Sequence, residues 1–436
     1  MDPIEEACRF APYYQDSCRE RVDAPVLEGK NHCRIAVIGG GLAGVCTALG
    51  LAERGVTGVT LVEAEEIGFG ASGRNGGFVF GGYSLGNQAL IDRLGLPRAR
   101  QLYQATVDGI ELLRARIKRY AIDCDLSEAG VLWANWFRNP EVLLRTQRMM
   151  AEAYGVEWQL LNAEELDERV TSPRYFGALF EPRAFHVQPL AMVRGLARAA
   201  TEQGAALHQH SSVIGMTRDA QGVRLIGRDF ELRAEQVVVA GGGYLHGYFK
   251  PLQAAMLPIA TYVMVTEPLR ERLGSCLRTA SAVYDTRFAF DYYRPLADSR
   301  ILWGGRISIR DRDPEDLARI LARDLRRVFP QLGRVRVESA WTGSMSYARH
   351  EMPQIGQISA DTWYAQAFGG HGLVPTTVAG ETLASALAGE PSPLLESFGQ
   401  FGLDSVYRQV GLGLLGAQAR YSWLQCCDWW RSLTRR

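Results

Sequence analysis

The sequence predicts an α/β plus α+β chain: a discontinuous, doubly wound parallel-sheet unit interleaved with a second unit built on an antiparallel sheet. Three observations predict it. Ile35–Ile38 is a short apolar, β-branched run that passes directly into three glycines, Gly39, Gly41 and Gly44, and then into a helical pattern and a second apolar strand. Two later apolar strands, Gln236–Ala240 and Trp363–Phe368, also run into glycine, as parallel strands do at the carboxyl edge of such a sheet. Between them, Pro258–Leu269, Asp291–Pro295 and Arg300–Arg306 read as strands, the last two joined by a turn at Ala297-Asp298, which is antiparallel geometry. The 436 residues suit two domains better than one.

The three glycines stand in G-x-G-x-x-G order. Gly39 permits the tight turn, Gly41 has no Cβ to keep a pyrophosphate from the backbone, and Gly44 lets the helix pack on the strand. That helix carries Val45, Ala48, Leu49 and Ala52 at helical spacing and stops near Arg54-Gly55, where glycine takes the left-handed cap. Its first turn, with Leu42 and Ala43, offers unpaired N–H groups and a positive dipole end to phosphate. The second strand, Val59–Val62, ends on Glu63, nineteen residues past Gly44, with Ala64 beside it. A carboxylate there accepts hydrogen bonds from adenosine ribose hydroxyls and repels a 2′-phosphate. Strand, helix, strand and acid together make a Rossmann-type dinucleotide fingerprint.

Apolar residues make up 47% of the chain and charged ones 22%, so it reads as an ordinary soluble globular protein. Formal net charge is zero, which removes any general attraction to nucleic acid or an anionic membrane. Eight scattered cysteines show no zinc-type spacing and read as reduced thiols of a cytoplasmic protein. No set of residues suggests a metal. The acidic start, Met1–Glu6, is not a signal peptide, and no apolar run is long enough to span a bilayer.

Taken in order, residues 1–30 show little periodicity and read as an extended surface arm. After the fingerprint, Gly68–Phe78 holds five glycines in eleven residues, which is backbone built for close approach of a ligand. Its G-A-S-G-R-N-G-G string, directly after the ribose acid, resembles the D-amino-acid oxidase/sarcosine oxidase superfamily, and the fuller string is most similar to the γ-glutamylputrescine oxidoreductase branch. In that family this loop runs beside the pyrophosphate and the flavin of FAD. The resemblance makes Ser72, Arg74, Asn75, Gly76 and Gly77 cofactor-contacting candidates.

A helical pattern follows from Leu94 to Tyr120, then a strand at Gly130–Ala134 and a helix from Pro140 to Ala153, all assigned to the substrate-facing layer. Residues 173–247 return to the first unit. A helix runs from Pro189 to Glu202 and a strand from Leu207 to Ser212. The family places a backbone contact to the cofactor at Val213, and a second approach to it at Ala240 and Gly241. His208, His210 and His246 stand alone, without the neighbours a metal site needs. In the second unit, Asp291-Tyr292-Tyr293-Arg294 again resembles the same branch. Relatives with covalent flavin carry an oxygen-activating lysine on a strand like Arg300–Arg306, and Leu302 or Trp303 takes its place here.

Trp341-Thr342-Gly343 opens the closing part of the first unit. There the strand Trp363–Phe368, the turn Gly369–Leu373 and a helix from Thr376 to Ala388 form another anion-receiving N-terminus. In the family this turn covers the flavin's N1 and C2-oxygen side, so Gly370, His371, Gly372 and Leu373 join the cofactor set, and the resemblance adds Trp341 and Gly343 before it. Asn75 in the early loop, and the lack of a cysteine in the stretch after His350, imply noncovalent FAD. The tail from Leu403, with Trp423, Trp429 and Trp430 among arginines, reads as a helix packed on its own protein rather than on a membrane.

The domain limits that follow are an arm at 1–30, an FAD-binding domain of 31–86, 157–247 and 341–400, a substrate domain of 87–156 and 248–340, and a tail at 401–436. The resemblance implies oxidation of an amine C–N bond. Hydride passes from the substrate carbon to flavin N5, the imine hydrolyses to an aldehyde and ammonia, and O2 or another electron acceptor takes the electrons. Trp341, His371, Tyr293 and Arg294 are the catalytic candidates. The branch suggests a γ-glutamyl polyamine, whose carboxylate an arginine (Arg287, Arg294, Arg306 or Arg349) binds bidentately. Tyr292, Tyr293, Trp303 and Trp341 are candidates for an aromatic lining. The alternatives are an amino- or imino-acid oxidase or dehydrogenase, and a flavin-binding protein without turnover.

Overall fold

A computed structural model of the chain describes residues 12–245, 247, 249–308, 314–406 and 410–433. His246, Arg435 and Arg436, the acidic Met1–Glu6 and the side chains of Arg420 and Trp429 lie outside that description.

Two eight-stranded sheets organise the molecule. In the first, the strand Gly29–Ile38 pairs in parallel with Val59–Val62 on one side and Phe230–Val239 on the other. Ala206–His208 extends one edge, and Thr362–Gln366 then Gln354–Ser359 extend the other. Ile35, Ala36 and Val37 are buried on both faces of the sheet, which is why the run is continuously apolar rather than alternating. The helix Leu42–Glu53 leaves the first strand and packs against the helices Pro189–Glu202 and Leu373–Leu387. The crossing with Leu373–Leu387 is close: a Cβ on Gly380 would lie 2.5 Å from the Cβ of Cys46.

The helical pattern expected from Leu94 to Tyr120 is the helix Leu96–Arg119, and a shorter helix that was not expected, Asn87–Leu94, precedes it across Gly95 with φ +78°. The longer one departs from the expected layer. Its stripe Leu102, Ile110, Leu113 and Ile117 is buried in the core shared with Ile35 and Leu49. Gly109 faces Val374 and Val378 of the helix Leu373–Leu387. Periodicity finds the stripe but is silent on which sheet it covers.

The second sheet runs Val337–Tyr347, Leu257–Thr266, Ile301–Ser308, Asp291–Pro295, Ala282–Asp285, Val131–Ala134, Ala178–Glu181, Gln159–Leu161. All neighbours are antiparallel except Ala282–Asp285 with Val131–Ala134. The strands within residues 159–181, expected with the first unit, therefore belong here. So does Trp341, because Val337–Tyr347 crosses the expected boundary at 341 as one unbroken strand paired with Leu257–Thr266. Behind this sheet lies the helix Pro314–Val328, over a core of Tyr293, Trp303 and Phe329.

The arm differs from expectation, whereas the tail is the helix packed on its own protein that was expected. The arm is not simply extended on the surface: it contains the helix Tyr13–Ser17, and Tyr14 is fully buried. The tail forms the helix Val410–Leu433, whose Tyr421 and Asp428 are buried while Trp423 and Trp430 are 67% and 65% exposed. No helix among the described residues is long and apolar enough to cross a membrane.

Candidate active site

A cavity of about 990 Å3 opens where the carboxyl edge of the first sheet meets the face of the second. Its floor is the fingerprint. Gly39 takes φ +115°, and a Cβ there would lie 2.6 Å from the Ala240 carbonyl oxygen, so the turn and the neighbouring strand end need each other. A Cβ on Gly44 would fall 2.0 Å from the Gly39 carbonyl oxygen. Gly41 caps the helix with no side chain of its own, and the Leu42 N–H is instead accepted by Ser72 Oγ at 2.9 Å. The Glu63 carboxylate accepts the N–H groups of Gly40 and Glu65, which fixes it at the end of its strand facing the cavity.

The wall above is the glycine loop, and its carbonyls are held by donors from the loop itself and from the protein behind it. Arg74 Nε donates to Phe69 O at 2.6 Å, and Asn75 Nδ2 donates to the oxygens of Ala71 and Ser72. Trp341 Nε1 donates to Arg74 O at 2.9 Å, Tyr14 Oη to Asn75 O at 2.8 Å, and Arg294 Nε to Gly76 O at 2.8 Å. Gly77, at φ +81°, leaves no room for a Cβ, which would lie 2.0 Å from the Val187 oxygen. Arg294 Nη2 also donates to that oxygen. With its carbonyls held, the loop is preorganised before any ligand arrives.

Opposite lies the turn into the helix Leu373–Leu387. A Cβ on Gly369 (φ +62°) would strike Ser84 Oγ at 2.2 Å, and one on Gly370 would meet Tyr347 Oη at 2.9 Å. Burial pushes the Tyr347 phenol up to about 12. His371 stands on the cavity wall with its ring 4.8 Å from Phe80, edge to face. Enclosure lowers its pKa to about 4, so the ring is neutral, and Nδ1 has no partner among the described residues. From His371 an aromatic wall continues through Phe80, Tyr284, Phe290, Tyr292 and Phe78, with neighbouring centroids 5.4 to 6.2 Å apart. The Tyr292 ring fits between two glycines: a Cβ on Gly76 or Gly304 would come within 2.6 or 2.0 Å of it.

The structure gathers Gly39, Gly41, Leu42, Ala43, Glu63, Ala64, Ser72, Arg74, Asn75, Gly76, Val213, Ala240, Gly241, Gly343, Gly370, His371, Gly372 and Leu373 around this one cavity. Gly44 and Gly77 shape it from behind. Three catalytic candidates do not line it. Trp341 is 2% exposed and braces the glycine loop, Tyr293 is fully buried and stacks on Trp303 at 4.7 Å, and Arg294 is 2% exposed with its donors turned onto backbone. Of the aromatic candidates, Tyr292 alone reaches the cavity. Leu302 and Trp303 are fully buried too, and the cavity residues of that strand are Gly305 and Arg306.

The arginines sort by partner. Arg287 lines the cavity between the carboxylates of Asp285 and Asp291, and Arg306 pairs with Asp324. Arg349 is exposed, lines the cavity and carries no hydrogen bond or ion pair among the described residues. Tyr284, Phe290 and Tyr347 were not singled out by the sequence, although alternation along their strands places Tyr284 and Tyr347 on a definite face and Phe290 stands just before the strand Asp291–Pro295. Glu181 was missed as well. It is 9% exposed, lies close enough to Tyr284 to act on its phenol, accepts one long bond from the Gly81 N–H at 3.5 Å, and burial pushes its carboxyl up to about 7.

A Rossmann-type sheet, a glycine fingerprint capped by a second glycine loop and a broad aromatic chamber define a dinucleotide-dependent oxidoreductase. The chain belongs to the DAO family, described as FAD dependent oxidoreductase, which matches residues 34–386. It is 36% identical over 383 residues to gamma-glutamylputrescine oxidoreductase of Escherichia coli K12, covering 87% of this chain and 89% of that protein. In fold it is similar to glycine oxidase from Geobacillus kaustophilus (TM-score 0.71, 21% identity, covering 86% and 99% of the two chains). It is likewise similar to L-proline dehydrogenase from P.horikoshii (TM-score 0.70, 21% identity, 85% and 97%). The residues present fit FAD: the glycines leave a cradle that a Cβ would fill, and His371 keeps an unpartnered buried nitrogen at its edge. The protein is an FAD-dependent oxidoreductase.

Proposed function

We propose that this enzyme oxidises the C–N bond of an amine carrying an anionic head group, of the γ-glutamyl polyamine type. The observation that carries the reading is the aromatic wall from His371 to Phe78 beside the glycine loop, with the unpaired Arg349 lining the same cavity. Bound FAD supplies the acceptor for the substrate's two electrons. The chain's own residues do the rest. Apolar rings favour the neutral amine over its ammonium, since burying an unpaired charge is costly. Neutral His371 adds a polar atom without adding charge. Arg349 receives the carboxylate as a bidentate partner, which orients a long substrate along the wall. The substrate carbon loses a hydride, the nitrogen a proton, and water converts the imine to aldehyde plus ammonia, with O2 reduced to H2O2. The 36% identity to a gamma-glutamylputrescine oxidoreductase supports this choice of amine.

Two further points belong to the same reading. FAD is held noncovalently: the Asn75 amide is committed to Ala71, Ser72 and Gly77, and no cysteine among the described residues lines the cavity. A dehydrogenase passing electrons to another acceptor is the second reading, favoured by the lack of a lysine on the cavity wall among the described residues. The test is anaerobic mixing with γ-glutamylputrescine, free polyamines, sarcosine, pipecolate and D-amino acids while the flavin absorbance is recorded. Bleaching by γ-glutamyl amines, with peroxide on admitting air, is the expected result. Bleaching without peroxide selects the dehydrogenase. A yellow protein that no amine bleaches overturns the proposal.

A further inference from the structure

The helix Val410–Leu433 lies wholly beyond the family-matched residues 34–386, yet Gly416 and Tyr421 on it, and Val406 just before it, line the cavity. The loop it touches, Arg287 to Phe290, lines the cavity as well. Two contacts join helix and loop. The Tyr421 ring, 7% exposed, sits 5.8 Å from the Phe288 ring. One helix heptad further on, Asp428, 9% exposed, accepts the Phe288 backbone N–H at 2.7 Å. The opposite side of the helix carries the exposed Trp423 and Trp430.

We infer that the tail helix is the roof of the substrate end of the cavity, latched to the loop 286–290 by Asp428, with Tyr421 setting which amines fit beneath it. The spacing supports this: residues 421 and 428 are seven apart and share one face, so a single rotation of the helix places both on the same loop. A buried carboxylate accepting a backbone N–H is a charge-assisted bond, stronger than a neutral one, and it acts on the loop that also holds Arg287 and Phe290. The roof makes the chamber selective because a closed end rejects bulk that an open cleft accepts. The selectivity half of this inference rests on the amine-oxidation reading; the latch half does not.

The test uses the full-length FAD-loaded protein with Asp428→Ala, Asp428→Asn, Tyr421→Ala and Tyr421→Phe. Hydrogen–deuterium exchange of the segment 286–290 reads the latch directly, without turnover. Asp428→Ala raises exchange there about tenfold or more, the loss expected for one charge-assisted bond, whereas Asp428→Asn, which keeps a neutral acceptor, gives a clearly smaller rise. In anaerobic flavin reduction, Tyr421→Ala lowers the half-saturating concentration of N-benzyl amines at least about fivefold relative to unbranched ones, and Tyr421→Phe does not. Unchanged exchange in Asp428→Ala, or asparagine and phenylalanine variants behaving like the alanines, overturns the roof. If the wild type is bleached by no amine, the amine reading fails and the exchange result alone decides the latch.

Discussion

At the scale of single residues, glycines and buried titratable groups carry the clearest expectations. Gly39→Ala forces a Cβ into φ +115° and onto the Ala240 oxygen. The conformation alone costs roughly 1–3 kcal/mol, so the variant melts lower and is purified without FAD. Gly41→Ala is the contrast. Its Cβ meets only Ser72 Oγ at 3.0 Å, so the fold survives while FAD affinity, read by titration, falls. Burial lowers His371 to about 4 and, with Arg294 beside it, His186 to about 3. Between pH ~6.5 and ~4 the unfolded chain binds protons at these rings that the folded chain does not, so stability falls as pH drops through that window. Urea midpoints across the range show the slope, and His371→Asn flattens it. Glu181 runs the other way. Its raised pKa favours the neutral carboxyl, so its contribution is present at low pH and lost as pH climbs through about 7. Glu181→Gln is therefore more stable than wild type at pH ~8. The glycines and Glu63 were legible in the sequence because each serves a local backbone geometry. Trp341, Tyr293 and Arg294 were misplaced because a side chain's direction across a sheet depends on register, which one sequence does not print.

At the scale of elements, three helices meet at one charge cluster. Arg116 on Leu96–Arg119 is 2% exposed and pairs with Glu53 on the fingerprint helix and Glu381 on Leu373–Leu387. Arg116→Met takes the shared partner from two half-buried carboxylates, leaving Glu53 with Tyr120 and Glu381 with Arg54, and lowers stability by about 1–3 kcal/mol. Because none of the three lines the cavity, the flavin spectrum of the surviving folded protein is unchanged. A triple variant that also replaces both glutamates by glutamine recovers part of the loss. The elements themselves were largely readable from apolar periodicity and glycine punctuation, and the helix Asn87–Leu94 shows the limit, since it buries only Leu90 and so carries little apolar pattern. The partner of each element was not readable. The stripe on Leu96–Arg119 is equally good against either sheet, and the cluster at Arg116 that decides the matter joins residues 63 and 265 positions apart.

At the scale of the molecule, FAD and the two sheets are one cooperative system. FAD binds only the folded cavity, so a thousandfold excess over its dissociation constant adds about 4 kcal/mol of stability. Thermal melts with and without added FAD measure it, and NADP, opposed by Glu63, gives no shift. The two-sheet architecture was legible, but its boundary was not. The strand Val337–Tyr347 begins in one unit and delivers Gly343 to the other's ligand, so no cut in the sequence separates them. The same interleaving fixes when in the protein's life the cofactor arrives. The fingerprint emerges from the ribosome early, but the strand beside Val237–Val239 on its far side is Thr362–Gln366, and the turn at Gly369–Leu373 follows it. At about 5–20 residues per second, roughly 17–67 s of translation separate the first wall of the cavity from the last. FAD capture therefore follows translation of this chain instead of guiding it, and a nascent chain stalled before Gly369 retains no flavin.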